Sequence, residues 1–220
     1  MLVSQIVRLP GYPRVQEFFN VLDMHFSDVR AMLQLPRPDV GIDTGCNLAV
    51  SATLCNILSG ISTTLYKPAH LLDDLQSAYL SGKAFQNLVQ DFFPRWPPGA
   101  EDFPKELYDY ARNPLVHSVG LPDAARAVVA DQAGPRIVYA RVLHSPHPKQ
   151  GWTTQELNDL EGRGYAIGTP SIVITGHQWL FHADSFYFDS IELLRRLTSD
   201  VAQMQAAERR FQQGVYNWRR

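Results

Sequence analysis

The chain has 220 residues, 45% of them hydrophobic and 19% charged, which excludes an intrinsically disordered protein and leaves room for one or two domains. Its net charge of −2 argues against a broad, non-specific nucleic-acid surface, so contact with RNA or DNA would need a local patch.

The first half of the sequence is predicted to be helical. Apolar residues recur at steps of three and four over Val15–Leu33, as on one face of an amphipathic helix. Two prolines in "LPRPDVG" (Leu35–Gly41) end that helix, because proline cannot continue it. Further helices are predicted over Gly45–Tyr66, over Leu71–Phe92 and from Lys105 onward. Helices joined by modest loops bury their apolar faces against each other, so a helical bundle is predicted.

The segment Gly45–Tyr66 carries no charge over 22 residues, a length that could span a bilayer. Its many Ser, Thr and Asn residues are too polar for a lone span, so we expect a helix buried at the centre of the bundle. The N-terminus shows no long apolar run or small-residue cleavage site, so no signal peptide is predicted. Cys46 and Cys55 would lie about 13.5 Å apart on one helix, too far for a disulfide, and reduced thiols favour a cytoplasmic location.

The second half of the sequence changes character. "RIVYARVLH" (Arg136–His144) is rich in β-branched and aromatic residues and predicts a strand. A short capped helix is predicted over Thr153–Gly164, a hairpin over Ser171–Asp184, and one long C-terminal helix over Ile191–Phe211. The predicted fold class is therefore mainly α: a helical bundle of residues 1–120, followed by a smaller α+β extension of residues 121–220 that ends in a long helix. The two parts could also pack as one domain.

The stretch "DYARNPLVHS" (Asp109–Ser118) carries the strongest chemical signal. On an uninterrupted helix Arg112 and His117 would diverge by about 140° around the axis and about 7.5 Å along it. Pro114 disfavours helical geometry at Asn113, and Asn113 is a good N-cap for a new helix. We therefore predict a helix break that lets Arg112 turn toward His117.

Arginine and histidine together suit metal-free cleavage of RNA. The guanidinium is a planar, permanently charged fork for phosphate oxygens, and the imidazole titrates near neutral pH. In such a reaction the 2′-hydroxyl attacks its own phosphate, a base removes its proton and a cation stabilises the charge on the phosphoryl oxygens. One histidine serves poorly as both base and acid, so a composite site from two chains is expected.

The motif of an arginine, a polar residue, three further residues and a histidine, late in a helical bundle, resembles the Arg-x(4–6)-His motif of the HEPN superfamily. The resemblance covers roughly residues 10–120. It implies a bundle that dimerises with the two motifs facing each other, and a metal-independent endoribonuclease of the kind found in toxin–antitoxin or anti-phage systems, with RNA and a cognate antitoxin as partners. It also implies that Arg112 contacts the scissile phosphate, that His117 is the acid/base and that Asn113 tunes them, with no cofactor and no metal.

Other interpretations stay open. Arg112 could pair with Asp109 or Glu106 at a helix end, and the bundle could be a non-catalytic module that binds a protein or nucleic acid. Tyr108 and Tyr110 could stack on bases or pack in the core. The histidines of the second half could form a metal site, although their spacing matches no common ligand motif; they are His144, His147, His177 and His182. The basic C-terminal residues could contact nucleic acid, but a solvated helix end is expected instead; they are Arg209, Arg210, Arg219 and Arg220.

Overall fold

The computed structural model of the protein describes residues 9–36, 46–72, 80–100, 102–112, 137–141, 150–163, 170–175 and 178–214. The fold is mainly α, which confirms the predicted fold class. The predicted division near residue 120 lies outside the described residues.

The first two long helices lie where the apolar pattern predicts them. α1 spans Pro13–Gln34 and α2 spans Asn47–Thr64. Pro13 begins α1 at a position where its missing N–H costs no hydrogen bond. Along the buried face of α1 lie Val15, Phe19, Leu22, Phe26, Val29 and Leu33. The charge-free segment forms α2, whose apolar residues Leu54, Leu58 and Ile61 are fully buried. The expectation of a central buried helix is therefore confirmed.

The next helices begin later or earlier than the periodicity indicates. A short 3₁₀ turn at Ala69–Leu71 is followed, after residues 73–79 outside the described part, by α3 (Ser81–Phe92). α3 begins at Ser81 because Leu80 is extended, with φ −63° and ψ 125°. α4 (Phe103–Glu106) follows the proline-rich loop and has Asp102 as its N-cap, whose carboxylate accepts from the Lys105 N–H at 3.4 Å. It continues as a π-helical turn at Leu107–Arg112.

The second half contributes a small sheet and a capped helix. β1 (Ile137–Arg141) pairs in parallel with β3 (Gln178–His182), and β3 pairs antiparallel with β2 (Ile172–Thr175), so the order is β1-β3-β2. Along the chain, α5 (Thr154–Arg163) follows β1 and precedes β2. Thr153 and Glu156 form a capping box before it: the Thr153 N–H donates to the Glu156 carboxylate at 2.9 Å, and the Glu156 N–H donates to the Thr153 hydroxyl at 3.3 Å.

The single long C-terminal helix predicted over Ile191–Phe211 is wrong: two helices are present, α6 (Ala183–Ser199) and α7 (Val201–Gln212). The break is at Asp200, which is extended with φ −81° and ψ 101°. Its carboxylate accepts from the Gln203 N–H at 3.1 Å, so an aspartate within the apolar repeat acts as the N-cap of α7. α6 packs on α2 and α3, and α7 packs on α1. The C-terminal helices therefore share one apolar core with the first half of the chain.

Buried polar side chains of α7 reach the ends of other helices. The Glu208 carboxylate accepts from the N–H groups of Arg14 and Val15 at 3.0 Å, at the start of α1. The Arg210 guanidinium donates to the carbonyl of Leu65 at 2.7 Å, at the end of α2. Arg210 is 1% exposed, so the expectation of a solvated helix end is wrong for this residue. The last carbonyl groups of a helix have no hydrogen-bond donor within the helix. At the end of α2 the buried Arg210 guanidinium supplies that donor.

Candidate functional site

Arg112 lies at the end of the π-helical turn Leu107–Arg112, half-buried against the bundle. A π-helical turn is rare, and such turns occur frequently at functional sites. The chain beyond Arg112 is outside the described residues until residue 137. Asn113, His117 and the predicted break at Pro114 fall in that part. Of the motif residues, the structure therefore describes Arg112 alone.

A side chain from α2 holds the guanidinium of Arg112. The Arg112 Nε–H donates to the Ser59 hydroxyl oxygen at 3.0 Å. The Ser59 hydroxyl in turn donates to the Cys55 carbonyl, one helical turn earlier, at 2.9 Å. Because its hydrogen is used on the helix backbone, the Ser59 oxygen meets Arg112 as an acceptor. The two residues are 53 positions apart in sequence, and the contact joins the π-helical turn to α2.

The same guanidinium also lies over an aromatic ring. The Arg112 guanidinium carbon lies 5.2 Å from the centre of the Tyr108 ring, within the range of a cation–π contact. Tyr108 packs on Phe85 of α3, with ring centres 5.7 Å apart. A Cβ at Gly82 would lie 2.9 Å from the hydroxyl end of the Tyr108 ring, so a larger residue at position 82 would clash with the ring. Of the two interpretations of Tyr108, packing is therefore the one observed, while the Tyr110 side chain lies outside the described part.

The positive charge beside α2 acts on a buried thiol. Burial raises the pKa of Cys55 from its ordinary value of 9.0 to about 12, and the nearby Arg112 charge opposes that rise. A thiol with so high a pKa stays protonated at neutral pH, so Cys55 is not a nucleophile here. Both cysteines are free, as the sequence predicts.

Of the two carboxylates considered as partners of Arg112, Asp109 pairs with a lysine. Asp109 accepts from the Lys105 ammonium at 3.0 Å in a solvent-exposed pair one turn apart on the same helix. Glu106 is half-buried on the same turn. Among the contacts of Arg112 are those with Ser59 and Tyr108.

The second-half histidines do not assemble within the described residues. His144, His147 and His177 lie outside them, and His182 is 3% exposed, at the junction of β3 and α6. No group of three or more His, Cys, Asp or Glu side chains in the described part of the chain is arranged to hold a metal ion.

Two buried ionic contacts were missed from the sequence. The Arg30 guanidinium donates to the Glu161 carboxylate, which also accepts from the Tyr187 hydroxyl at 2.6 Å. Burial, reinforced by the Glu161 charge, raises the pKa of Tyr187 well above its ordinary range. The Arg95 guanidinium donates to the fully buried carboxylate of Asp189 at 3.1 Å. In the sequence, a buried ion pair could have been suspected from a charged residue on the apolar face of a helix, as at Asp189.

Burial raises the pKa of Asp189 from its ordinary value of 3.8 to about 6, although the Arg95 charge and a hydrogen bond from Ser171 favour the ionised form. These contacts join helices to each other and to loops inside the core. They pair buried charges, as the interior requires of ionised groups.

Across the helices that the structure describes, none combines the length and the apolar character needed to cross a bilayer. Comparison of the chain with protein-family models, with curated proteins and with solved structures gives no match.

Proposed function

We propose that this chain is a HEPN-like, metal-independent endoribonuclease that acts as a homodimer. One observation carries the proposal: the arginine of the Arg-x4-His motif ends a helix of the bundle with its guanidinium held by Ser59 and Tyr108. A guanidinium that is held before the substrate binds loses little further side-chain freedom on gripping a phosphate, and the planar fork matches phosphate oxygens.

In the proposed reaction Arg112 stabilises the charge that develops on the scissile phosphate, His117 transfers the proton and Asn113 is the polar residue beside them. The 2′-hydroxyl attacks the adjacent phosphorus and the 5′-oxygen leaves, which produces a 2′,3′-cyclic phosphate and a free 5′-hydroxyl. Because one imidazole serves poorly as both base and acid, His117 of a second chain completes the site. A cytoplasmic toxin or anti-phage factor, restrained by a cognate antitoxin, is the setting that we propose.

A second candidate is a non-catalytic bundle that binds a protein or nucleic acid. The observation that favours it is the same pair of contacts, since a hydrogen bond to Ser59 and an aromatic ring under the guanidinium also let an arginine fix one helix against its neighbour. In that case Arg112 stabilises the fold, and its loss lowers the free energy of unfolding without touching any reaction.

Cleavage assays in EDTA separate the two candidates. Purified protein is incubated with structured and unstructured RNA, beside the variants Arg112→Ala and His117→Ala. Matched controls are Arg209→Ala and His25→Ala, which remove an exposed arginine and an exposed histidine elsewhere. The proposal expects cleavage with cyclic-phosphate ends that survives EDTA, is lost in the first two variants and is kept in the controls.

Other results would assign the chain differently. Folded protein that leaves all RNAs intact favours the non-catalytic module, and cleavage only with added zinc or manganese favours a site built on the second-half histidines. The dimer is tested by sedimentation velocity at micromolar concentration, where a sole species of 24.8 kDa would contradict a site shared by two chains.

A further inference from the structure

Two contacts restrain the Arg112 guanidinium. Within the plane of the group, Ser59 accepts from Nε at 3.0 Å. The guanidinium carbon also lies over the Tyr108 ring, 5.2 Å from the ring centre. A flexible arginine has about 2 kcal/mol of rotamer entropy, and these two contacts remove part of that freedom before any ligand binds.

Both supports are themselves anchored in the bundle. The Ser59 hydroxyl is turned by its own bond to the Cys55 carbonyl, so its oxygen keeps one direction toward Arg112. The Tyr108 ring is held by Phe85 on one side and closely approached by Gly82 on α3. Helices α2 and α3 therefore both contribute to the placement of the guanidinium, although neither carries a motif residue.

We infer that Ser59, together with the Tyr108 ring, is a positioning residue that fixes the direction of the Arg112 fork toward the scissile phosphate of RNA. This inference rests on the proposed function and adds to it a second helix that the motif does not contain. A displacement of about 1 Å in a group that stabilises a transition state can cost on the order of 100-fold in rate, so the loss of one support has a measurable effect.

The test compares Ser59→Ala with Ser59→Thr. The alanine variant removes the acceptor for Arg112 Nε–H, whereas threonine keeps a hydroxyl oxygen in the same place. Ser190→Ala is the matched control, because its hydroxyl donates to the Phe186 carbonyl one turn earlier at 2.7 Å, as Ser59 donates to Cys55. Circular dichroism of each variant shows that the compared samples are folded.

Two measurements are made on each variant: kcat and KM on an RNA oligonucleotide, and hydrogen exchange of the Arg112 Nε–H by NMR in arginine-labelled protein. We expect Ser59→Ala to lower kcat by about 10- to 100-fold with KM changed less than about twofold, because the lost contact acts in the transition state. We expect its Nε–H to exchange faster than in the wild type. Threonine should restore both readouts, and Ser190→Ala should leave both unchanged.

Each outcome decides the matter. An unchanged exchange rate of the Arg112 Nε–H in Ser59→Ala, or an unchanged kcat, overturns the positioning role. A wild-type protein that cleaves no RNA removes the proposed nuclease instead. In that case the exchange measurement still shows whether Ser59 orients Arg112.

Discussion

Gly151 allows the chain to pass against the end of α1, and replacing it with alanine gives a sharp test of the packing there. The residue has φ +76°, a conformation that L side chains rarely adopt. A Cβ at this position would lie 2.7 Å from the Leu33 carbonyl oxygen and 2.9 Å from the Leu35 carbonyl oxygen. Both obstacles are backbone atoms of the α1 terminus, so neither can rotate away.

The expected loss of stability is estimated by comparison with Gly99. Gly99 has φ +83° but nothing within 4 Å of its would-be Cβ. Left-handed geometry costs alanine about 1–2 kcal/mol, and the stiffer unfolded chain returns about 0.4–1 kcal/mol, so Gly99→Ala should lose about 1 kcal/mol.

Gly151→Ala must in addition move Trp152. The Trp152 N–H donates to the Leu33 carbonyl at 3.0 Å, and its indole N–H donates to Asp184 at 3.2 Å. We expect a total loss of about 3–5 kcal/mol, because the cost of about 1 kcal/mol estimated for Gly99→Ala is joined by about 1–3 kcal/mol for overpacking and about 1 kcal/mol for a weakened buried hydrogen bond.

Urea unfolding, followed by circular dichroism and by tryptophan fluorescence, measures both variants under the same conditions. A change in the midpoint at constant slope gives the difference in stability. The reasoning is refuted if Gly151→Ala is no more than about 0.5 kcal/mol less stable than Gly99→Ala, since strain at positive φ alone would then explain both.

Two further predictions concern buried charges. Glu208→Ala leaves the N–H groups of Arg14 and Val15 without their acceptor, so we expect about 2 kcal/mol of lost stability in urea unfolding, and about half that for Glu208→Gln. An alanine variant with the wild-type midpoint would contradict this role. Between pH 3.8 and about 6 folded Asp189 holds its proton while the unfolded chain has lost it, so wild-type stability falls as pH rises. Across that range Asp189→Asn should gain about 3 kcal/mol relative to wild type. Parallel pH profiles of the two proteins in urea unfolding would show that Asp189 does not contribute in this way.

Local chemistry made several elements predictable. The apolar repeat of α1 and the polar, charge-free sequence of α2 lead directly to helices, because a turn of helix depends on residues three and four apart. The capping box at Thr153 and Glu156 is likewise complete within four residues. The helix break at Asp200 is not visible in the sequence, because the apolar spacing continues across it. In the structure the Asp200 carboxylate caps the second helix.

Part of the candidate site could be predicted from the sequence, and part depends on contacts between distant residues. The sequence singled out Arg112, because its residue type and its spacing to His117 are visible without coordinates. Ser59 was not singled out, since 53 residues separate it from Arg112 and one serine among several on α2 has no distinguishing pattern. The role of Gly82 was equally hidden, because it depends on where the Tyr108 ring lies.

The sequence by itself determined that the chain is mainly α, where its long helices lie and which arginine deserves a chemical hypothesis. Those properties follow from periodicity and from bonds within one or two turns. Only the tertiary structure decided which side chains satisfy the helix ends, as Glu208 does for α1 and Arg210 for α2, and what holds the guanidinium of Arg112. Such partners are chosen by how the helices pack, because a buried donor or charge takes the acceptor that packing brings within reach.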